Sequence, residues 1–249
     1  MKKSLQARRL CAIELVLTAA VYLLALWFIT PRVADAKPLW MSILLALFAF
    51  AALWILWVSP RLIHRVAHLF RGAGPPRTFF LRTEALGRSA RNFGLITALG
   101  LAALLVIRLA SHPAAMPVLT WKLVVVRFAS YVPYALVQAI FYFEFCQPRF
   151  QAAFGERAAL WGTALTFSLF HCPNLSLMGL GLVASYFWAR EYLRQPNLVL
   201  LTLSHAILGS CLLLVSGIMT RIGPFYLHPE KHALRTLLPW WQSLVQGLW

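Results

Sequence analysis

Charged residues are scarce in this chain. Only 12% of the 249 residues are Asp, Glu, Lys or Arg, and 61% are apolar. Soluble domains contain about 25% charged residues, and a water-soluble globule of this size has too little interior to hide so much apolar surface. The composition therefore excludes a soluble enzyme, a disordered chain and a disulfide-stapled secreted domain. It predicts an integral membrane protein.

Cysteine is also sparse, and none of the four cysteines forms a CxxC pair. All four lie in or beside apolar runs, which is typical of small buried hydrophobic residues: Cys11, Cys146, Cys172 and Cys211. A cysteine-protease site that pairs Cys146 or Cys172 with His205 is a weak alternative, because the sequence shows no sign of thiolate activation.

Acids are the rarest charges: seven Asp and Glu stand against 23 Lys and Arg, a formal net charge of +16. In a soluble protein this balance would indicate a nucleic-acid partner. Here the basic residues lie between apolar runs, where they act as topology signals and contact anionic lipid headgroups. We therefore expect the lipid bilayer as a partner and no nucleic acid.

The apolar runs predict an all-α fold, a polytopic transmembrane bundle of seven or eight spans. No internal repeat is evident, so residues 1–249 are predicted to form a single integral membrane domain. The predicted spans cover about 11–29, 39–58, 93–110, 123 to beyond 143, 157–170, 177–192 and 196–219. The apolar tail 234–249 is either a short eighth span or an interfacial helix.

A basic connector at 59–92 sets the predicted orientation. It carries seven arginines and one acid, Glu84. The positive-inside rule places this connector and the basic N-terminus in the cytoplasm. We expect a bacterial inner (plasma) membrane protein with a cytoplasmic N-terminus.

Three ionisable residues stand out because they lie deep in an apolar run or at its end, where such a side chain costs about 2.5–3.5 kcal/mol on the translocon scale and is a functional candidate. They are Glu144, His171 and His205. We expect the helix of Glu144 to kink at Pro148 and the chain to turn at Gly155. At 1.5 Å per residue, Glu144, His171 and His205 lie about 16, 22 and 14 Å from that membrane face. One mid-membrane cavity is predicted to hold all three side chains.

The spacing alone leaves several chemistries open. A carboxylate in a dry cavity can act as a general base toward water, with imidazoles holding the water or an oxyanion. The same residues could ligate zinc as a His₂Glu set. In a purely structural interpretation, Glu144 pairs with Arg149 and the histidines form hydrogen bonds between helices.

The residues around these positions form three short motifs. Glu144 is followed by Phe145 and then by Arg149, and Phe167 precedes His171 by four residues. These resemble the Glu-Glu-x-x-x-Arg and Phe-x-x-x-His signatures of the CAAX-protease and bacteriocin-processing family (CPBP, also called Abi). The second signature is complete, whereas Phe145 stands in place of the second Glu of the first.

The third motif is similar to the family's His-x-x-x-Asn, with His205 in place and Gly209 where the Asn stands. The resemblance covers about residues 132–213 and implies a glutamic-type intramembrane endopeptidase. Its implied substrate is a membrane-anchored protein or peptide, with C-terminal anchor or sorting segments as one class.

The resemblance also implies roles for the residues. Glu144 would activate water, and His171 would orient either that water or Glu144. His205 would help stabilise the oxyanion, and Arg149 would hold the kinked helix end. Gly209 cannot donate a hydrogen bond from a side chain, so another group must replace the family's Asn. The sequence offers three candidates for that donor: Asn174, Ser204 and Ser210.

We expect no metal and no other cofactor, because the resemblance is to glutamic-type members and no HExxH motif is present. Two other functions stay open. Phe145 and Gly209 favour a catalytically degraded relative that acts as an immunity factor or membrane scaffold. Glu144 and the histidines could instead relay protons in a transporter, although the absence of an internal repeat counts against that.

The orientation can be tested by cysteine-accessibility labelling of single cysteines introduced at residues 77–91 in a cysteine-free background. We expect a membrane-impermeant reagent to label them only after the membrane is opened. Labelling of these positions in intact cells would show that the predicted topology is inverted.

Overall fold

A computed structural model of the chain describes residues 2–29, 86–111, 120–212 and 223–227. Within these ranges every regular element is a helix, so the all-α fold class is confirmed. The predicted span at 39–58, residues 59–85 of the basic connector and the apolar tail 234–249 lie outside them.

In chain order the helices are α1 (Lys2–Leu24), α2 (Leu86–Ser111), α3 (Trp121–Ala139), α4 (Gln147–Phe154), α5 (Glu156–Leu169), α6 (Leu175–Arg194), α7 (Leu198–Cys211) and α8 (Pro224–Leu227). Two π-helical segments accompany them: Ala25–Ile29 continues α1, and Ile140–Cys146 joins α3 to α4. The chain forms two compact units, 1–77 with 152–155 and 221–249, and 78–151 with 156–220.

Three helical stretches of the described chain are long and apolar enough to cross a membrane: Arg8–Ile29, Leu86–Ala110 and Trp121–Phe154. They coincide with the predicted first, third and fourth spans. By contrast, α5 has 14 residues and rises about 21 Å, less than the roughly 30 Å of a bilayer core. The total of seven or eight spans stays a prediction.

In the first unit, the backbone at Gly223 lies close to the side chain of Leu26. Its φ of 56° lies in the left-handed region that favours glycine. A Cβ at this position would also lie 2.9 Å from Leu26 Cγ in the π-helical end of α1. Both the backbone angle and the lack of space therefore require glycine before α8 begins.

The second unit contains all the motif residues, and the α5–α6 pair lies at its centre. The two backbones approach closely because small residues line their interface, as is common in membrane bundles. Small buried residues recur every four positions on α6: Gly181, Ser185 and Ala189. The Ser185 hydroxyl bonds the Gly181 carbonyl at 2.6 Å, and Ser185 also lies 3.3 Å from the Ala164 carbonyl of α5.

Both buried turns around α6 are closed by asparagine N-caps. Asn174 Oδ1 accepts from the Leu177 backbone N–H, and Asn197 Oδ1 accepts from that of Leu200, both at 3.1 Å. Each asparagine thus satisfies an N–H that has no partner within its own helix. The structure gives Asn174 this capping position at the start of α6.

The kink predicted at Pro148 takes the form of a π-helix. Proline has no N–H to donate, and its ring crowds the carbonyl four residues earlier, here that of Glu144. The Gln147 N–H bonds the Tyr142 carbonyl five residues back, which is the π-helical spacing. The helix then ends at Phe154, and Gly155 turns the chain with a φ of 93°. Glu144 therefore lies in the widened segment.

Arg149 secures the end of this segment. Its side chain is 1% exposed. Its Nη1 donates to the Phe145 carbonyl at 2.6 Å, and the guanidinium carbon lies 3.6 Å from the centre of the Phe145 ring. The phenylalanine that replaces the family's second Glu thus stacks against the arginine of the same motif, a cation–π contact.

We predict that Arg149→Ala lowers the free energy of unfolding by about 2 kcal/mol, because the buried Phe145 carbonyl loses its donor. Arg149→Lys keeps a charged donor but loses the planar stacking, so a smaller loss is expected. Thermal unfolding in detergent and the yield of folded protein measure both. Arg157→Ala is the control, because Arg157 is exposed. Equal stability of the Arg149→Ala and Arg157→Ala variants would contradict this role.

Candidate active site

Glu144 is held by a residue that belongs to none of the three motifs. Tyr192, near the end of α6, donates a hydrogen bond from its hydroxyl to Glu144 Oε1. Tyr192 is 6% exposed, and its ring lies 5.8 Å from that of Phe143. A phenol is a directional donor, so this bond sets the orientation of the carboxylate.

His171 lies in the turn between α5 and α6 and is buried. Its Nδ1 is 2.6 Å from the Phe167 carbonyl oxygen. A carbonyl can only accept, so Nδ1 carries the proton and Nε2 is left with a lone pair. The neutral imidazole therefore presents an acceptor on the side away from Phe167.

His205 lies in the middle of α7 and is 4% exposed. Its ring is surrounded by those of Trp188, Phe167 and Tyr131, whose centres are 4.9, 5.5 and 5.9 Å away. Its Nδ1 is buried and has no hydrogen-bond partner among the described residues. A buried polar atom without a partner is uncommon in folded proteins and calls for an explanation.

Phe167 connects the two histidines. Its ring centre is 4.9 Å from that of His171 and 5.5 Å from that of His205, and its carbonyl fixes the His171 tautomer. The same ring lies 4.8 Å from that of Tyr142 in the π-helical segment. The Phe-x-x-x-His motif thus has a physical basis, because its phenylalanine packs against both other parts of the site.

One face of α6 contacts all three predicted site residues. Counted from Gly181, Trp188 follows after seven residues and Tyr192 after eleven, which places the three positions on one stripe of the helix. A Cβ on Gly181 would lie 3.9 Å from Nδ1 of His171. Trp188 contacts His205, and Tyr192 bonds Glu144.

The order along this stripe is His171, then His205, then Glu144. The α-carbons of Gly181 and Tyr192 are about 16 Å apart along the helix axis. Long side chains on a helix lean toward its N-terminus. Along the helix axis, the Tyr192 hydroxyl and the carboxylate that it holds are therefore nearer to Trp188 and Gly181 than the α-carbon of Tyr192 is. Sequence reasoning missed this face, because α6 carries no motif residue.

Ser204, which precedes His205, is bound into a polar chain between helices. The indole N–H of Trp188 donates to Ser204 Oγ at 3.0 Å, and the Thr97 hydroxyl of α2 lies 2.7 Å from the same oxygen. Thr97 also bonds the Phe93 carbonyl at 2.8 Å. These bonds fix α7 against α2 and α6 at the level of His205.

Ser210 is likewise engaged, since its hydroxyl donates to the Ala206 carbonyl at 2.6 Å. Together with Asn174 at its N-cap, the three donors suggested by the sequence all take part in hydrogen bonds of the fold. Gly209 faces Tyr131, whose ring covers it.

The metal and thiol alternatives find no support in the described part of the chain. There, no group of three His, Cys, Asp or Glu side chains is arranged to hold a metal ion. His205 makes no hydrogen bond to Cys146 or Cys172 in these ranges. Cys146 is buried and Cys172 is exposed in the α5–α6 turn.

Residues 119–210 match the model of the family described as Type II CAAX prenyl endopeptidase Rce1-like. No curated protein and no solved structure matches the chain. The matched segment covers just over a third of the sequence and includes Glu144, Arg149, Phe167, His171 and His205. The family resemblance drawn from the three motifs is therefore confirmed, and the segment that forms this site is Rce1-like.

Proposed function

We propose that the chain is an intramembrane endopeptidase that hydrolyses a peptide bond of a membrane-associated protein with water activated by Glu144. One observation carries this proposal: a tyrosine-held carboxylate and two buried histidines lie along one face of α6, within the Rce1-like segment. Polar groups in an apolar bundle are costly, and a catalytic role explains why the chain carries these three.

In the proposed reaction, Glu144 accepts one proton from water as the water oxygen bonds to the carbonyl carbon of the substrate. The Tyr192 hydrogen bond orients the carboxylate for this transfer. When the tetrahedral intermediate collapses, the carbon–nitrogen bond breaks and Glu144 passes the proton to the leaving amine. Base catalysis of this kind contributes about 10²–10⁴-fold to the rate.

His171 is suited to hold the same water. Its Nδ1–H is committed to the Phe167 carbonyl, so Nε2 accepts the second water proton. We propose that the side chains of Glu144 and His171 approach within one water of each other, and that this water donates one proton to each and turns its lone pair toward the substrate. The two residues thereby set the direction of attack as well as its rate.

His205 is suited to stabilise the oxyanion. A neutral imidazole can donate one N–H, and the buried Nδ1 of His205 has no partner among the described residues. The aromatic rings around it exclude water, so a hydrogen bond formed there with developing charge is stronger than in solvent. Removal of a donor of this kind costs about 10²–10³ in rate.

For the substrate, we propose a membrane-anchored protein or peptide, with two classes to be compared. The family's name points to a prenylated C-terminal Cys-aliphatic-aliphatic-x sequence, and the second class is a C-terminal transmembrane anchor without a lipid. We further propose a bacterial inner membrane location with the N-terminus in the cytoplasm, where the arginine-rich connector contacts anionic headgroups.

We predict that Glu144→Gln abolishes cleavage and leaves the fold intact. Glutamine keeps the size and the hydrogen bond from Tyr192 but cannot take a proton at neutral pH, so a loss near 10⁴-fold is expected. The assay uses purified protein in lipid nanodiscs with a farnesylated fluorescent peptide and a peptide with a transmembrane anchor. Cleavage by Glu144→Gln at the wild-type rate would refute the glutamate mechanism.

Two further outcomes complete this assay. His171→Ala and His205→Ala should be nearly as severe, and the double variant should be no worse than either, because the groups act as a unit. If the wild-type protein cleaves neither probe while remaining folded, the alternative of a degraded relative acting as a scaffold becomes the better account.

We predict that Tyr192→Phe lowers kcat by about tenfold or more and changes KM little, because the carboxylate loses the bond that orients it. The matched control is Tyr186→Phe on the same helix, whose ring packs on Trp161. Both variants keep the ring, but only Tyr192→Phe takes a donor from the carboxylate, so it should lower the thermal stability more than Tyr186→Phe, and kcat is compared at a temperature where both variants are folded. A Tyr192→Phe enzyme with normal kcat would show that this hydrogen bond does not position the base.

A further inference from the structure

Gly209 lies one helical turn after His205, so position 209 and the imidazole share a face of α7. A Cβ built on Gly209 would overlap the ring of Tyr131 and would lie 2.5 Å from its hydroxyl oxygen. The phenol therefore occupies the space that any side chain at position 209 would need. Tyr131 and Gly209 are a complementary pair, one large and one without a side chain.

Tyr131 also contacts His205 directly. Its ring lies edge-on to the imidazole, with centres 5.9 Å apart, so the phenol reaches from Gly209 to the turn that carries the histidine. The neighbouring His205 Nδ1 is buried and has no hydrogen-bond partner among the described residues. The phenol ring thus lies next to an imidazole that has an unpartnered nitrogen, and both are surrounded by aromatic side chains.

A phenol hydroxyl and an imidazole N–H are both good donors to a developing negative charge. The side chains nearest in sequence are committed elsewhere: Ser204 to Trp188 and Thr97, and Ser210 to the Ala206 carbonyl. Tyr131 is therefore the donor best placed to act together with His205.

We propose that Tyr131 is a catalytic residue that shares the oxyanion with His205, its hydroxyl taking the place left by the missing side chain at Gly209. This role rests on the proposed peptidase function. When the water oxygen bonds to the scissile carbonyl carbon, the carbonyl oxygen gains a negative charge. Tyr131 and His205 then each donate one hydrogen bond to it, and no proton is transferred from either.

The direct test is Tyr131→Phe, which keeps the ring over Gly209 and against His205 and removes only the hydroxyl. We expect kcat to fall about 10²–10³-fold, as for loss of an oxyanion donor, with KM little changed. The control is Tyr134→Phe, one turn along α3, whose hydroxyl accepts from Gln138 Nε2 at 2.9 Å. Thermal unfolding of both variants should stay close to that of the wild type.

A second test of the same role uses two compensating substitutions, at Tyr131 and at Gly209, and does not depend on Tyr131→Phe. Gly209→Asn alone should lose both stability and activity, because its Cβ overlaps the Tyr131 ring. Tyr131→Ala opens that space but lacks a donor. Combining Tyr131→Ala with Gly209→Asn supplies an amide donor beside His205, and we expect kcat to recover about tenfold over Tyr131→Ala alone.

The outcomes separate this role from the function on which it rests. A wild-type rate for Tyr131→Phe, in an assay where Glu144→Gln is inactive, overturns the role of Tyr131 and leaves the peptidase intact. No gain from adding Gly209→Asn to Tyr131→Ala overturns it as well. A folded wild-type protein that cleaves neither the farnesylated nor the transmembrane-anchored peptide removes both the proposed function and this role.

Discussion

A carboxylate inside a bundle of apolar helices raises the free energy of the fold unless the protein supplies its hydrogen bonds, because the lipid supplies none. Here Tyr192 supplies one to Glu144. The backbone around it meets a separate constraint: Pro148 has no N–H to donate, the chain forms a π-helix before it, and Arg149 bonds the Phe145 carbonyl of that segment. The hydrogen bond from Tyr192 thus stabilises an acid among apolar helices.

The organisation of the site follows from α6. On one part of its surface, small residues such as Gly181 and Ser185 bring α5 close, and this brings Phe167 and His171 against the helix. Further along, Trp188 and Tyr192 extend to the two remaining site residues. Since one rigid helix carries all these contacts, the relative positions of base and histidines depend on its packing more than on any loop.

The sequence was sufficient to single out Glu144, His171 and His205, because ionisable residues stand out in apolar runs and their spacing matches a known motif set. It also predicted the kink at Pro148 and the turn at Gly155. It could not show which helix faces meet, because periodicity gives positions along a helix and not the rotation of one helix against another. Tyr192 and Tyr131 were missed for that reason.

The role proposed for Glu144 is tested most directly by following the water oxygen through a single turnover. Enzyme in excess over a cleavable membrane-anchored peptide is allowed one turnover in H₂¹⁸O, and product and enzyme peptides are then analysed by mass spectrometry. General-base catalysis predicts one ¹⁸O in the new C-terminal carboxylate and none in the enzyme peptide that contains Glu144. Label in that enzyme peptide with an unlabelled product would show that Glu144 attacks the substrate itself, and would contradict the account.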